Sequence, residues 1–147
     1  IKLSKLSFKV KTIDGDNFRK KYKNNNNFSK TNIIKNNLSI INYVKKIQKK
    51  YDFILVSVIS PLLITRNLAR TKFGLNYFEI YVKCKIKTLE KRDTKQLYAK
   101  AKKNIIKNLI GYNSNIRYEV SKYKKIIIDT DKLTKFKSIN LIIKKIF

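Results

Sequence analysis

Two aspartates, Asp14 and Asp16, stand two residues apart directly after a predicted β-strand. The strand prediction covers Ser7 to Ile13 and rests on the apolar residues in that stretch. Two carboxylates at this spacing can both reach a bound cation or accept a proton from a substrate. An ordinary strand-to-helix turn can carry the same residues, so the pair alone leaves both interpretations open.

Two further predicted strands end on polar residues. The short, apolar and β-branched run Phe53 to Ile59 predicts a buried parallel strand, and Ser60 follows it. The stretch Lys124 to Asp129 predicts a last buried strand that ends on Asp129. Functional groups collect at the carboxyl ends of parallel strands. Asp14, Asp16, Ser60 and Asp129 are therefore the candidate site residues of this sheet.

Strands and helices are predicted to alternate along the chain, which indicates an α/β fold with a parallel sheet. Apolar residues spaced four and seven apart predict an amphipathic helix from about Thr31 to Lys49. The other predicted elements are a helix that begins at Ser60-Pro61, a strand from Tyr77 to Val82, helices from Ile86 to Lys91 and from Leu97 to Lys103, and a terminal helix with Ile139, Ile142, Ile143 and Ile146 on one face.

The chain is strongly basic, with a formal net charge of +27 over 147 residues. Such a charge is typical of nucleic-acid or anionic-membrane partners. Only five of the 36 basic residues are Arg, however, and the abundant Lys, Asn, Ile and Tyr all have AT-rich codons. Since nucleic-acid contacts favour the guanidinium fork, we interpret most of the charge as solvated surface and do not predict a nucleic-acid partner.

The rare residue types restrict the chemistry and the compartment. A single cysteine, Cys84, rules out an internal disulfide, and no signal peptide is visible, so the default is the reducing cytoplasm. No apolar run approaches the roughly 18 residues of a membrane span. There is no His to act as a base or a metal ligand. There is also no Met, and because the chain begins at Ile1 we expect a truncated N-terminus.

The segment Asp14-Gly15-Asp16-Asn17-Phe18-Arg19 resembles the Asp-Gly-Asp-Asn-x-Arg motif of adenylylsulfate kinases. Further matching segments follow in one order and with nearly fixed spacing, from about Ile13 to the end of the chain. They are Phe28-Ser29; Val58-Ile59-Ser60-Pro61 followed by Arg66 and Ala69-Arg70; Arg92 to Ala101, which resembles Arg-Asp-Pro-Lys-Gly-Leu-Tyr-Lys-Lys-Ala; Lys107-Asn108 with Gly111; and Ile128-Asp129-Thr130.

The resemblance implies one domain over residues 1–147 with a three-layer P-loop kinase fold. The family transfers the γ-phosphoryl of ATP, with Mg²⁺, to the 3′-hydroxyl of adenylylsulfate in sulfate activation. The implied partner is therefore a small-molecule nucleotide, with no membrane, and a homodimer is left open. The resemblance implies that Asp14 and Asp16 lie near the metal and the acceptor hydroxyl, with Asp14 as the Mg²⁺ ligand, and that Ser60 forms a phosphoserine intermediate. The implied acceptor-binding residues are Arg19, Phe28, Asn36, Ile59 and Lys100. The implied ATP or lid contacts are Arg92, Lys107 and again Lys100.

Some of these roles have a structural alternative. Ser60 can be a helix N-cap. Phe28 can be a core residue, and Arg92 can belong to a structural ion pair. The lysines Lys100 and Lys107 can be solvated surface.

The sequence departs from the family pattern where arginines are expected. Ile33, Leu38-Ser39 and Leu63 occupy those positions, which removes charged contacts of roughly 1.5–3 kcal/mol each. Either the acceptor is another nucleotide-linked anion or the activity is weakened.

The Gly-x-x-x-x-Gly-Lys-Ser/Thr loop that cradles phosphates is absent from the sequence, and only 13 residues precede Asp14. We therefore expect the first, central strand to be missing and the chain not to catalyse ATP-dependent transfer by itself. A non-catalytic nucleotide- or polyanion-binding protein is the second hypothesis. A basic RNA-binding protein is the third, although no RNP or KH signature is present.

Overall fold

The computed structural model describes residues 2–22, 29–123 and 125–147. Within these ranges helices and parallel strands alternate, as predicted. The helices are α1 (Lys2–Lys5), α2 (Gly15–Lys21), α3 (Lys30–Ile47), α4 (Leu63–Phe73), α5 (Ile86–Arg92), α6 (Leu97–Lys102) and α7 (Lys135–Ile146), with 3-10 turns at Gln48–Lys50 and Gly74–Asn76. The strands are β1 (Val10–Asp14), β2 (Phe53–Ser57), β3 (Ile80–Lys83) and β4 (Ile126–Asp129).

The strands form two parallel pairs. β1 pairs with β2, with Asp14 opposite Ser57 at the carboxyl end. β3 pairs with β4, with Lys83 opposite Asp129 at the carboxyl end. The chain divides into two compact units, Ile1–Thr65 and Arg66–Phe147, and each pair of strands lies within one unit.

In the first unit, α3 supplies half of the buried apolar residues. It begins where the Ser29 hydroxyl accepts a hydrogen bond from the backbone N–H of Asn32, at 3.3 Å. Its apolar face then buries side chains one helical turn apart, as its sequence periodicity predicts. The helix extends into the 3-10 turn at Gln48–Lys50, so the predicted span from Thr31 to Lys49 is confirmed. The buried apolar residues of this unit are Leu3, Ile13, Phe18, Ile33, Ile40, Ile41, Val44 and Leu62.

In the second unit, β4 alternates between a covered and an open face. Ile128 is only 2% exposed, whereas its neighbour Ile127 is 51% exposed. Ala69 on α4 and Ala101 on α6 complete the buried apolar set of this unit. The terminal helix α7 begins where the Thr134 hydroxyl accepts from the Lys137 N–H at 3.3 Å, four residues before the predicted isoleucine face.

The structure corrects the predicted burial of two strands. No residue of β2 is fully buried, and β4 buries only one of its four residues. In the described part of the chain each of these strands has one strand neighbour, so one edge and part of each face remain uncovered. The apolar runs therefore predicted the strands correctly but overestimated how completely their side chains are buried.

Two predicted boundaries are also wrong. β1 begins at Val10 instead of Ser7, because Ser7 has a left-handed φ of 65° that breaks the extended conformation. α4 begins at Leu63, so Pro61 precedes the helix and does not occupy its first turn. Lys124, at the predicted start of the last strand, lies outside the described residues. None of the helices described is both long and apolar enough to cross a membrane.

Candidate functional site

Asp14 and Ser57 end the paired strands β1 and β2 side by side. Asp14 is also the N-cap of α2, because its Oδ1 accepts a hydrogen bond of 2.9 Å from the Asn17 N–H. The strand-to-helix turn considered as an alternative is therefore real. The Asp14 side chain is exposed, and its second oxygen has no protein partner in the described ranges, so capping leaves that oxygen available to a ligand.

Gly15 allows the two strand ends to approach each other. A Cβ at this position would lie 2.9 Å from Cγ2 of Val58 and 3.2 Å from the carbonyl oxygen of Ser57. Neither atom belongs to a flexible side-chain end, so only glycine fits. The glycine of the Asp-Gly-Asp motif thus brings the Asp14 turn against the segment that leads to Ser60, a role that sequence reasoning did not assign.

Asp16 and Arg19 form an ion pair on α2, with Arg19 Nη1 at 3.8 Å from Asp16 Oδ1. The structure therefore brings together a predicted catalytic carboxylate and a predicted acceptor-binding arginine. A partly exposed pair one helical turn apart contributes little to stability. An incoming anion can compete for this guanidinium at small cost.

Ser60 lies three residues before the first residue of α4, so its interpretation as the helix N-cap is wrong. Its Oγ instead lies 3.0 Å from Nδ2 of Asn37 and 2.9 Å from Oγ1 of Thr65. Asn37 is a buried residue of α3 that sequence reasoning did not select as a site residue. Neither of these two partners is a base that could take the Ser60 proton.

The other predicted acceptor-binding residues of the first unit differ in accessibility. Ile59, next to Ser60, is 58% exposed and can contact a ligand. Asn36 on α3 is buried, so it can shape the site from within the unit. Phe28 lies outside the described residues.

In the second unit, Arg92 at the end of α5 binds the segment that follows β4. Its Nη2 donates to the carbonyl oxygen of Thr130 at 2.8 Å, and its Nη1 donates to Thr130 Oγ1 at 3.2 Å and to Cys84 Sγ at 3.7 Å. These acceptors are all neutral, so the alternative of a structural ion pair is wrong. The guanidinium charge is therefore not compensated by a carboxylate at the carboxyl edge of β3 and β4.

Asp131 organises the same edge and was not predicted. Its Oδ2 accepts from the Lys85 N–H at 2.8 Å, and its Oδ1 accepts from the Thr88 hydroxyl at 2.5 Å and the Cys84 thiol at 3.7 Å. The Thr88 hydrogen bond is the main cause that lowers the pKa of Asp131. Asp131 stands two residues past the end of β4, and the spacing argument applied to Asp16 after β1 would have found it. Asp129, which was selected, accepts from the Asp131 N–H at 3.0 Å.

Lys100 and Lys107 are both exposed, and neither ammonium group has a carboxylate partner among the residues described. Lys100 lies on α6, and Lys107 lies in the segment after it. α6 begins after Gln96, which has a left-handed φ of 53° where the resembling motif has glycine. A non-glycine residue there costs roughly 1 kcal/mol. The contacts of the two lysines fit solvated surface, and no contact ties them to the other predicted site residues.

Comparison with known proteins matches this arrangement to one family. The sequence profile of adenylylsulphate kinases matches residues 1–129. The chain is 33% identical to a probable adenylyl-sulfate kinase of Pyrococcus abyssi, over 98% of this chain and 81% of that protein. It is 31% identical to a probable adenylyl-sulfate kinase of Archaeoglobus fulgidus, over 89% and 83% of the two chains.

A solved structure gives the same result. The Mycobacterium tuberculosis APS kinase CysC, in complex with AMPPNP and APS, superposes with a TM-score of 0.80 at 26% identity, covering 96% of this chain and 82% of that chain. The chain belongs to the adenylylsulfate kinase family. The predicted P-loop kinase fold and the prediction of a kinase-like phosphotransferase are thereby confirmed.

The carboxylate oxygens of Asp14 and Asp16 are the candidate protein ligands for Mg²⁺ in this member of the adenylylsulfate kinase family. The described residues hold no cluster of three acidic or cysteine side chains that could hold a metal ion by themselves. Mg²⁺ in phosphotransferases, however, is usually held by one or two carboxylates together with substrate phosphates and water. The available oxygen of Asp14, with Asp16 two residues on, fits that requirement.

The segments that resemble the family also include Arg66 and Arg70, whose contacts the structure gives. Both guanidinium groups contact Glu79, with Arg66 Nε at 3.4 Å from Oε1 and Arg70 Nη2 at 3.1 Å from Oε2. Arg66 stacks over the Tyr118 ring at 4.5 Å and also donates to the Glu119 carbonyl oxygen. These arginines therefore stabilise the second unit.

Proposed function

We propose that this chain binds adenylylsulfate as the acceptor in ATP-dependent phosphoryl transfer to the acceptor's 3′-hydroxyl. The observation that carries the proposal is the junction at the carboxyl ends of β1 and β2. There Gly15 packs against Val58 and Ser57, and Asp14 keeps one carboxylate oxygen without a protein partner among the residues that the structure describes. The family profile runs through both compact units, which supports treating residues 1–147 as one domain.

Phosphoryl transfer depends mainly on positioning and on charge neutralisation. In this proposal Asp14 and Asp16 face the acceptor hydroxyl and orient its proton, and Arg19 exchanges its contact with Asp16 for an oxygen of the acceptor's anion. Ile59 offers an apolar contact to the nucleotide. Arg92, with its uncompensated charge, attracts the triphosphate of ATP. Mg²⁺, when bound, neutralises phosphate charge.

The missing family arginines favour a second candidate acceptor. Ile33 is buried in the core of the first unit, so no cation is supplied there. Leu63 likewise supplies no charge at the start of α4. A nucleotide-linked acceptor with a smaller or less charged anionic end than the phosphosulfate would lose less from these replacements.

Isothermal titration calorimetry of the 147-residue protein tests the proposal. Adenylylsulfate is expected to bind more tightly than AMP, which lacks the sulfate. Adenosine 5′-phosphoramidate serves as a nucleotide-linked acceptor with a less charged end. Tighter binding of the phosphoramidate would favour the second candidate, and absence of any nucleotide binding would overturn both.

Asp14→Asn is the matched variant, because asparagine caps a helix as well as aspartate does but carries no charge. It is expected to leave the urea midpoint unchanged and to abolish the Mg²⁺-dependent increase in ATP affinity. Formation of phosphorylated product is assayed in parallel with ATP and adenylylsulfate. Turnover by this chain would show that transfer does not need a Gly-Lys-Ser loop, contrary to the expectation from the sequence.

A further inference from the structure

A small buried polar cluster connects α3 to the segment that carries Ser60. Asn37 is 4% exposed and Thr65 is 1% exposed. Asn37 Nδ2 donates to Ser60 Oγ at 3.0 Å and to Thr65 Oγ1 at 3.3 Å, and the two hydroxyl oxygens lie 2.9 Å apart. One amide thus holds two hydroxyl groups that are five residues apart in the chain.

The proton positions in this cluster follow from counting donors. The Thr65 hydroxyl donates its only proton to the Leu62 carbonyl oxygen, at 3.0 Å. Thr65 can therefore only accept in its contact with Ser60, so Ser60 donates there. Asn37, which has two amide protons, supplies one to each hydroxyl oxygen. The arrangement fixes the rotamer of Ser60 and directs its proton towards Thr65.

The amide of Asn37 is not explained by packing. Its Oδ1 is buried without a hydrogen-bond partner in the described part of the chain, which is unfavourable for folding. An apolar side chain at this position would avoid the unpartnered oxygen. A buried amide that does not improve the core is expected to serve the groups it holds.

We propose that Asn37 is a positioning residue for acceptor binding, acting through Ser60. By holding both hydroxyls from α3, it sets the conformation of the turn after β2, in which Ile59 is exposed beside Ser60. This inference rests on the proposed function, since its readout is the binding of adenylylsulfate.

The first test compares Asn37→Leu with wild type. Leucine has the same branching and the same number of side-chain heavy atoms, and it removes both the amide donor and the unpartnered oxygen, so the urea midpoint is expected to stay about the same. The Kd for adenylylsulfate is expected to rise about tenfold, the usual effect of losing one positioning hydrogen bond. Asn42→Leu, an exposed position on the same helix, is the matched control and should leave the Kd unchanged.

A double-mutant cycle with Ser60→Ala identifies the route of the effect. If Asn37 acts through Ser60, Asn37→Leu has no further effect on the Kd in the Ser60→Ala background. The same tenfold loss in both backgrounds, or an unchanged Kd in the single variant, would overturn the role of Asn37 and leave the proposed function intact. Failure of the wild-type protein to bind adenylylsulfate would instead overturn the proposed function and this role with it.

A second variant covers the case in which Asn37→Leu lowers the urea midpoint. Thr65→Val keeps the shape of the side chain and removes the hydroxyl that accepts the Ser60 proton. The Kd for adenylylsulfate is then measured for Thr65→Val with and without Ser60→Ala. No further effect of Thr65→Val in the Ser60→Ala background supports the role of the cluster, and the same loss in both backgrounds contradicts it. An NMR signature accompanies Thr65→Val: the Asn37 side-chain amide protons should exchange slowly in wild type and faster in this variant.

Discussion

Two arginines of the second unit share a single carboxylate. Arg66 and Arg70 both contact Glu79, whose side chain is only 5% exposed. Tyrosine rings cover the guanidinium groups, with Tyr77 at 5.2 Å from Arg70. Burial, followed by the Glu79 charge, raises the pKa of Tyr77 to about 12, so this ring stays neutral. Two guanidinium groups face one carboxylate, so one positive charge is in excess. Glu79 is the anion that offsets the charges of Arg66 and Arg70.

Glu79→Gln is therefore expected to destabilise the protein strongly. Glutamine has the same shape but no charge, so the buried guanidinium group of Arg66 and the partly buried one of Arg70 would face each other without an anion. We expect a loss of about 3 kcal/mol in the free energy of unfolding, measured by urea denaturation.

Glu90→Gln is the matched control, because Glu90 is exposed on α5, where it accepts a hydrogen bond from the Tyr112 hydroxyl at 3.3 Å. It should change the free energy of unfolding by less than about 0.5 kcal/mol. Equal stabilities for the two variants would show that Glu79 does not balance the arginines.

At the scale of elements, hydrophobic periodicity predicted the existence and type of each strand and of the helices after α2. Periodicity placed the start of α4 too early, because Pro61 resembles a first-turn proline. The hydrogen bonds of Ser60 instead hold residues 60 and 61 outside the helix. Periodicity overestimated the burial of β2 because an apolar run does not show how many neighbours a strand has. Both misses arise from tertiary contacts that local pattern does not encode.

Helix α5 is capped by a residue distant in sequence. Lys85, its N-cap, makes no side-chain capping bond of its own, and Asp131 accepts the Lys85 N–H instead. At the other end, Arg92 binds Thr130. The segment after β4 therefore fastens both ends of α5, which places the uncompensated charge of Arg92 at the sheet edge.

The hydrogen bond from the Lys85 N–H to Asp131 predicts that the stability of the folded protein depends on pH. Because the pKa of Asp131 is lowered in the folded state from an ordinary 3.8, its stabilisation is present above that value and is lost as pH falls through the folded pKa. Asp131→Asn should therefore have a lower urea midpoint than wild type at about pH 7, with a difference that shrinks towards about pH 2.

Thr88→Ala removes the main cause of this shift. Carboxyl ¹³C titration by NMR should then show the pKa of Asp131 moving up towards its ordinary value. A midpoint difference between wild type and Asp131→Asn that does not vary with pH would contradict the cap.

For the whole molecule, the family and the strand-end aspartates could be identified from sequence, because ordered motifs carry both. The contacts of Ser60, the role of Asp131 and the cluster around Glu79 could not. Each depends on residues between 5 and 53 positions apart that meet only in the folded chain. The charge of +27 was interpreted as solvated surface, and 15 of the 36 basic residues lie in the last turns of the described α-helices.

Basic residues occupy the last turn of all seven helices described, where the negative end of the helix dipole favours them. This local benefit is small, whereas a net charge of +27 repels itself more strongly in the compact state than in the unfolded chain. Added salt screens that repulsion, with a screening length of about 10 Å at 0.1 M. Salt should therefore stabilise the protein.

The urea midpoint is accordingly expected to rise as NaCl increases from about 20 mM to about 500 mM, a range over which screening becomes short-ranged. The comparison is the same titration of Glu79→Gln, whose net charge is more positive by one and should steepen the rise. A midpoint that falls with salt would mean that ion pairs outweigh repulsion. Submicromolar RNA affinity that drops steeply over the same range would instead show that the charge serves a polyanion, contrary to its interpretation as solvated surface.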